Sequence, residues 1–216
     1  MKIYVIRHGE TALNVKHVKQ GWKDEPLNDF GRELAVLTGR SLRGLRFDAC
    51  VTSPLVRSRE TVELVLKESG NGDVPVETDD RLKEINFGVE ENTPSNTSVL
   101  QPEAWKLFLT DGLNFPGFPD GESIRDVCRR TQEFLWQLAA KDDGKTWLIG
   151  THGCALRAML NPLYEHPEHF WQGKVPPNCA ITILEAKGGR LRILESDRVY
   201  YDPSLVKDHY VSMPRI

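Results

Sequence analysis

The chain has 216 residues, 39% of them hydrophobic, a length that suits one domain with a sizeable core. Its 28 Lys and Arg residues nearly balance 31 Asp and Glu residues, so the net charge of −3 gives no electrostatic reason to expect a nucleic-acid or membrane partner. The first apolar run, residues 3–6, is shorter than the roughly 7–15 residues of a signal-peptide core. Since no stretch approaches the ~18 apolar residues that span a bilayer, we expect a cytoplasmic protein.

Potential disulfide and metal ligands are dispersed along the chain. The four cysteines form no C-x-x-C pair: Cys50, Cys128, Cys154 and Cys179. Three of them lie in apolar stretches, which is typical of reduced, buried thiols. His166 and His169 have the spacing of a metal pair, but Pro167 lies between them and no other ligands accompany them. We therefore expect neither a metal nor a cofactor.

The first predicted element is a short strand at residues 3–6. Four consecutive apolar residues are too few for a helix and do not alternate, which favours a strand buried on both faces of a mostly parallel sheet. The sequence then changes to Arg7, His8 and Gly9. Because ligands of open α/β sheets bind beyond the carboxyl ends of strands, this polar break lies where a site is expected. The alternative is that Arg7 and His8 are solvated loop residues.

A helix, a strand and a second helix are predicted next. After a loop over residues 12–30, apolar spacing indicates a helix at residues 31–42 and a short run indicates a strand at residues 47–51.

The start of the second helix is predicted from its first residues. Ser53 is a favoured N-cap and Pro54 a favoured first helical residue, so we predict a helix from Pro54 to about Lys67. Arg57 lies in its first turns, where backbone N–H groups and the helix dipole favour an anion.

The middle of the chain combines a strand, a charged loop and a long connection. A third strand is predicted at residues 74–77, followed by a loop over residues 79–88 that contains Glu84. Residues 92–121 hold four prolines and one short amphipathic piece near Trp105. Such a long connection is typical of a cap or lid, and we predict that it sets substrate choice.

The remaining predicted elements alternate between helices and strands. They are a helix at residues 122–140, a buried strand at 146–150, a helix at 154–160 and a hairpin of strands at 180–186 and 191–196. The strand at 146–150 also ends in polar residues, among them His152. The tail from residue 197 reads as irregular.

Several predicted strands therefore end in polar residues at one edge of the sheet. Two arginines, two histidines and a carboxylic acid can converge there: Arg7, Arg57, His8, His152 and Glu84. Arginine binds phosphate oxygens bidentately, a neutral imidazole can attack phosphorus, and an acid can protonate a departing alkoxide. The set suits phosphoryl transfer.

Four motifs carry a family resemblance. They are R-H-G-E-T at 7–11 with Asn14, S-P-L-V-R at 53–57 with Thr61, L-K-E at 82–84 with F-G at 87–88, and T-H-G at 151–153. With N-C-A-I-T at 178–182, they span most of the chain except residues 92–121 and the tail. In these motifs the chain resembles the histidine phosphatase superfamily, also called the phosphoglycerate mutase-like family. We expect an α/β fold, a three-layer sandwich with a mostly parallel central sheet flanked by helices. Residues 1–216 form its single domain, with 92–121 as the inserted cap.

The resemblance implies a role for each site residue. His8 is the nucleophile that becomes phosphohistidine, and Glu84 is the general acid. Four residues hold the phosphate: Arg7, Arg57, His152 and, as a lesser contact, Asn14. The family often continues Phe-Gly with x-Trp-Glu-Gly, whereas residues 89–92 here read V-E-E-N, which changes the rim of the pocket.

Neighbouring residues are given lesser parts. Arg59 should point away from Arg57 on the helix. Glu10 is either a second acid or a residue of the surface or of a helix start. Cys154 is interpreted as helix packing, because the C-x5-R loop of cysteine phosphatases is missing. Four histidines lie outside the motifs: His17, His166, His169 and His209.

Three functions compete. The first is a metal-independent phosphomonoesterase that hydrolyses a small phosphorylated metabolite through phosphohistidine. The alternative is a cofactor-dependent phosphoglycerate mutase, which must retain a bisphosphorylated intermediate. It is disfavoured because Lys83 and Lys106 are the only cations between Arg81 and Arg125. The third is a non-catalytic phosphate-binding module. The sequence names neither the leaving group nor the oligomeric state.

Overall fold

A computed structural model describes residues 1–207, and its centre is a six-stranded sheet. The strands are β1 (Lys2–Arg7), β2 (Ala49–Thr52), β3 (Val76–Thr78), β4 (Thr146–Thr151), β5 (Ile181–Lys187) and β6 (Arg190–Arg198). Their order is β3-β2-β4-β1-β5-β6. Strands β1 to β4 run parallel to their neighbours in that group, and the β5–β6 hairpin adds two antiparallel strands at one edge.

Helices cover both faces of this sheet. They are α1 (Ala12–Val15), α2 (Asp29–Ser41), α3 (Val56–Ser69), α4 (Pro102–Thr110), α5 (Ile124–Ala139) and α6 (Gly153–Leu160). Apolar residues of α5 and α6 pack with Ile3 and Val5 of β1, while those of α2 and α3 pack with Ile6. Strand β1 is therefore buried on both faces, as its unbroken apolar run predicts. The expected α/β three-layer sandwich is confirmed.

The start of α3 differs from the sequence prediction. The helix begins at Val56 with Leu55 as its N-cap, because Leu55 is still extended (φ −65°, ψ 133°). Ser53 therefore does not cap the helix and Pro54 is not helical. Its other end runs past Lys67 to Ser69, since Gly70 adopts the left-handed conformation (φ 86°) that closes a helix.

Residues 92–121 contain more structure than a loop. Pro102 opens α4, and a 3-10 helix at Gly112–Asn114 follows before α5. Phe108, Phe115 and Phe118 are all buried in an apolar cluster that also includes Trp171. Phe115 and Phe118 are thus part of the core and do not line the pocket, so these two aromatic residues of the predicted cap are scaffold.

Three further expectations have a structural outcome. Strand β6 continues to Arg198, because its last residues still pair with β5, so the irregular tail begins later than predicted. All four cysteines are buried free thiols. Within residues 1–207, no helix has both the length and the apolar character needed to cross a membrane. His209 lies outside the described residues.

Candidate active site

The carboxyl ends of three parallel strands bring the polar motifs together. Arg7 of β1 is in register with Thr151 of β4, and Thr52 of β2 is in register with Gly150. The residue that follows each strand end is therefore at one edge of the sheet. The rings of His8 and His152 are 5.2 Å apart between centroids.

His8 has the environment of a neutral nucleophile. Its Nδ1 lies 2.7 Å from the carbonyl oxygen of Gly9, which can only accept a hydrogen bond, so Nδ1 carries the proton and Nε2 has the free lone pair. Burial, followed by the cations Arg57 and Arg7, lowers the pKa of His8 well below its usual value. The imidazole is consequently neutral at physiological pH.

The turn that carries His8 is held by close backbone packing. The Gly9 N–H donates to Thr61 Oγ1 at 2.9 Å, and Asn178 Nδ2 donates to the His8 carbonyl at 3.0 Å. A Cβ on Gly9 would lie 2.6 Å from the Gly31 carbonyl oxygen, and one on Gly31 would lie 2.1 Å from the Glu10 carbonyl oxygen. The start of α2 can therefore approach the turn only because both positions are glycine.

Arg57 and Arg7 bring two buried cations to the site. Arg57 is fully buried, and its Nη1 and Nη2 donate to the carbonyl oxygens of Lys23 and Gly21 at 2.7 and 2.8 Å. Arg7 Nη1 donates to the carbonyl of Pro176. The positive charges of both guanidiniums contribute to the lowered pKa of His8.

His152 is oriented by Ser53, the residue that the sequence analysis predicted to cap a helix. Its Nε2 lies 2.8 Å from Ser53 Oγ, which also accepts the Leu55 N–H at 3.3 Å. Ser53 Oγ can donate to Nε2 or accept from it; when it donates, the proton of the neutral imidazole is on Nδ1. Nδ1 is buried and has no hydrogen-bond partner among residues 1–207. Burial and the cation Arg57 lower the pKa of His152, so its imidazole is neutral and adds no positive charge to that of Arg57.

Glu84 lies at the amino terminus of α6. Its Oε1 accepts the N–H groups of Ile85 and Ala155 at 2.9 and 3.0 Å, and its Oε2 accepts the Cys154 N–H at 3.2 Å. A Cβ on Gly153 would lie 3.7 Å from both Glu84 Oε2 and Arg7 Nε, which brings these two residues to one locus. These three N–H donors hold the carboxyl group of Glu84 in a fixed position at the edge of the site.

Cys154 contributes its backbone and not its thiol. Burial, with the nearby Glu84 carboxylate, raises the pKa of Cys154 well above the ordinary value for a thiol. The thiol therefore stays protonated and is a poor nucleophile. This agrees with the interpretation of Cys154 as a packing residue.

Arg130 of α5 holds the loop that carries Glu84, a role that the sequence does not reveal. Its guanidinium donates to the carbonyls of Arg81, Lys83 and Glu84 at 2.6–2.9 Å. It is also paired through two hydrogen bonds of 2.8 Å with Glu122. Three arginines of similar spacing occur in α5, and only their contacts distinguish Arg130.

Three other residues near the motifs make contacts within the protein that bear on their predicted roles. Asn14 is buried, and its Oδ1 accepts from the N–H and Oγ1 of Thr11 in a capping box that starts α1, so its contact with phosphate stays a prediction. Arg59 is half exposed beside Glu63, away from the site as expected. Glu10 is buried and not on the surface. Its Oε1 accepts a hydrogen bond from Asn28 Nδ2 at 2.8 Å.

A pocket of about 670 Å³, including its open mouth, is lined by His8, Arg57 and Glu84. Its other walls come from residues 18–21, from α4 and from the segment before β5. The cap segment thus contributes Ser95, Trp105, Phe108 and Leu109. Lys19 adds a cation that sequence spacing alone did not associate with the site.

Possible metal ligands do not gather in the described part of the chain. Residues 1–207 contain no group of three or more His, Cys, Asp or Glu side chains that could hold a metal ion. His166 is exposed, and its Nδ1 is 3.1 Å from Glu168 Oε1.

Comparison with known proteins identifies relatives. The sequence profile of the histidine phosphatase superfamily (branch 1) matches residues 3–197. The probable phosphoglycerate mutase GpmB of Yersinia pestis (strain Pestoides F) is 30% identical over 185 residues, or 86% of this chain and 85% of that protein. Bacillus stearothermophilus YhfR aligns with a TM-score of 0.82 and 31% identity, covering 92% of this chain and 97% of its own.

A third relative is a phosphatase solved with its ligand. A mutant phosphoserine phosphatase of Entamoeba histolytica, in complex with phosphoserine, aligns with a TM-score of 0.78 and 26% identity, covering 91% of this chain and 98% of its own. The sequence profile, the fold and these similarities agree with the motifs that converge at the sheet edge. The chain belongs to the histidine phosphatase superfamily.

Proposed function

We propose that the protein is a phosphomonoesterase that transfers the phosphoryl group of a small phosphorylated metabolite to His8 and then to water, without a metal ion. The observation that carries the proposal is the 2.7 Å contact between His8 Nδ1 and the Gly9 carbonyl. This contact, together with the lowered pKa of His8, leaves a neutral imidazole whose Nε2 lone pair is available for attack.

The first step forms a bond between His8 Nε2 and phosphorus and breaks the bond from phosphorus to the leaving oxygen. Arg7, Arg57 and His152 hold the phosphoryl oxygens and stabilise the charge that develops on them. Glu84, protonated on substrate binding, gives its proton to the leaving oxygen. Because the ester can enter as a monoanion, the substrate itself can supply that proton.

The second step returns the enzyme to its starting state. Water attacks the phosphohistidine, and the Glu84 carboxylate accepts a proton from that water. The bond between His8 Nε2 and phosphorus breaks, inorganic phosphate forms, and Glu84 passes the proton taken from water to that phosphate. The imidazole is again neutral and the carboxylate is restored, so one monoanionic ester and one water give one alcohol and one phosphate.

A phosphoglycerate mutase is the second candidate, supported by the similarity to the Yersinia protein. A mutase must hold a bisphosphorylated intermediate, which needs positive charge beyond the first phosphate. Lys19 lines the pocket, but its Nζ lies 2.7 Å from Glu90 Oε2. Because Glu90 already neutralises Lys19, this lysine does not supply the extra positive charge that a mutase needs, and the pair favours a hydrolase. A non-catalytic binding module is less well supported, because binding alone does not require an oriented, neutral imidazole.

A phosphoenzyme assay tests the proposal. Brief incubation with a labelled ester, in excess chelator, should give an acid-labile, base-stable phosphoprotein and then free phosphate. His8→Ala should abolish the adduct, whereas the exposed control His166→Ala should not. An adduct of undiminished yield in His8→Ala would refute the assignment of the nucleophile. Activity that chelator removes and a divalent ion restores would refute the metal-independent mechanism. Transfer to a second alcohol instead of water would indicate a mutase.

A further inference from the structure

The pocket continues beyond His8 into a chamber with mostly apolar walls. Its lining includes Phe87, Trp105, Phe108, Leu109, Trp171 and Val175. The rings of Trp105 and Phe108 are stacked, with centroids 5.3 Å apart and an angle of 23° between their planes. Trp171 Nε1 donates to the Phe108 carbonyl at 3.0 Å, so its polar atom is already used by the protein. The chamber therefore offers extensive apolar contact to the leaving group of an ester.

Lys19, the cation of this chamber, is neutralised within the protein. Its Nζ lies 2.7 Å from Glu90 Oε2, and the side chains of Lys19 and Glu90 are 3% and 0% exposed. The same ammonium donates to Thr93 Oγ1 at 3.0 Å, to the Pro94 carbonyl at 3.2 Å and to the Thr97 carbonyl. An ammonium has three N–H donors, and these four acceptors occupy all of them.

Glu90 has equally complete contacts. Its other oxygen, Oε1, accepts the Val99 N–H at 2.7 Å and the Ser98 hydroxyl. The positive charge of Lys19 is therefore neutralised by Glu90, and its N–H groups are bonded to residues 93–97 of the cap segment. Lys19 is consequently not available to pair with a negatively charged ligand.

Charge balance then discriminates among leaving groups. Lys19 and Arg57 are the Lys and Arg residues that line the pocket among residues 1–207, and Arg57 lies at the His8 end. A carboxylate or second phosphate in the chamber would lose water without gaining an unneutralised cation, which is unfavourable. An uncharged, apolar group loses little on the same transfer and gains burial against the aromatic walls.

We propose that this chamber selects phosphate monoesters whose leaving group is uncharged and largely apolar, and that it rejects phosphorylated acids such as phosphoglycerates. The inference rests on the proposed phosphomonoesterase function and names the substrate class of that same site. The buried pair of Lys19 and Glu90 is the specificity device, because it removes the charge that an acidic leaving group would need.

Two esters that differ by one carboxylate test the inference with the unaltered protein. Phenyl phosphate and 4-carboxyphenyl phosphate have similar phenolic leaving groups, so a difference in kcat/KM reports on the chamber. We expect phenyl phosphate to be preferred by about tenfold or more, the scale of discrimination by a buried contact. Equal values, or a preference for the carboxylated ester, would overturn the inference and leave the proposed function standing. Release of phosphate from neither ester would overturn the proposed function itself.

Substitution of the ion pair tests its part in the selection. Glu90→Gln keeps the shape of the side chain and leaves the Lys19 ammonium without its counter-charge, so the preference should shift toward 4-carboxyphenyl phosphate by about tenfold. Glu103→Gln, an exposed carboxylate of α4, is the matched control and should keep the wild-type ratio. The inhibition constant for vanadate checks that the phosphate end is intact.

A double variant guards against misfolding of the single one. Lys19→Leu with Glu90→Leu removes both charges together and should retain the preference for the uncharged ester. A folded Glu90→Gln protein with the wild-type ratio would show that Lys19 does not control selection. A double variant that prefers the carboxylated ester would overturn the inference as well.

Discussion

Single hydrogen bonds orient the side chains of the site. The Gly9 carbonyl, which can only accept, fixes the tautomer of His8, and the Ser53 hydroxyl, which can donate or accept, holds the ring of His152 in place. Glu84 is held by N–H groups at the start of α6. Residue type alone therefore does not determine the chemistry, because an imidazole or a carboxyl takes its role from the neighbour that it contacts.

Glu84 is expected to matter in proportion to how poor the leaving group is. A sugar alkoxide needs protonation and p-nitrophenolate does not, so Glu84→Gln should slow hydrolysis of an alkyl phosphate by about 10²–10⁴-fold, the usual range for general acid catalysis. Hydrolysis of p-nitrophenyl phosphate should fall much less. Asp80→Asn, in an exposed side chain of the same loop, is the control. Equal losses on both esters would mean that Glu84 positions the substrate and does not protonate it.

At the scale of elements, α5 acts on the site through Arg130. Loss of this guanidinium frees the carbonyls of Arg81, Lys83 and Glu84, so Arg130→Met should displace the acid. Because a displacement of about 1 Å can cost 10²-fold in rate, kcat for an alkyl phosphate should fall by about that factor.

The neighbouring helix residue provides the control for this prediction. Arg129 is 75% exposed and pairs only with Asp126 among residues 1–207, so Arg129→Met should leave kcat unchanged. A p-nitrophenyl phosphate assay separates positioning from general damage. If Arg130→Met slows that ester as much as the alkyl phosphate, the residue supports the fold and not the acid.

The cap segment has two parts with different expected effects. Trp105 lines the pocket, whereas Phe115 is 2% exposed in the apolar cluster behind it. Trp105→Ala should therefore change the ranking of substrates. Phe115→Ala should lower the free energy of unfolding by about 3–5 kcal/mol and affect all substrates alike. Kinetics on an ester panel together with denaturant unfolding would distinguish them, and a reordered panel in Phe115→Ala would contradict the division.

At the scale of the whole molecule, short-range patterns predicted the framework and missed the long-range contacts. The apolar run before Arg7 and the polar residues at three strand ends were enough to predict a parallel core and a site at its edge. Ser53 was misassigned because its partner, His152, is 99 residues away. Lys19 was missed because Glu90 lies 71 residues beyond it, and neither has a local pattern.

The stability of the whole fold is expected to fall as the solution becomes mildly acidic. Burial lowers the pKa of His8 and His152 in the folded state, so the unfolded chain binds more protons below its histidine pKa of about 6.5. The free energy of unfolding is highest above that pH, where the two histidines are neutral in both states. It decreases progressively as the pH falls toward the folded-state pKa values. Urea unfolding between about pH 7.5 and pH 5 measures the slope.

Two variants assign that slope to buried histidine. His8→Asn removes one of the depressed groups and should make the pH dependence shallower. His166→Asn, at an exposed position, should not alter it. Identical slopes in all three proteins would show that the buried histidines do not govern acid sensitivity.

In the proposed mechanism, the hydrogen bonds from Arg57 to the Gly21 and Lys23 carbonyls couple phosphate binding to the loop over residues 21–23. A guanidinium is a rigid plane with five N–H donors. An anion bound by Arg57 and the carbonyls of residues 21–23 therefore contact the same rigid group. Linkage between two such equilibria is reciprocal: the free energy that the anion gains from an ordered loop, the loop gains from the anion. Gly21 also lines the pocket. In the proposed mechanism, bound phosphate therefore stabilises this part of the pocket wall, and an ordered wall in turn holds phosphate more tightly.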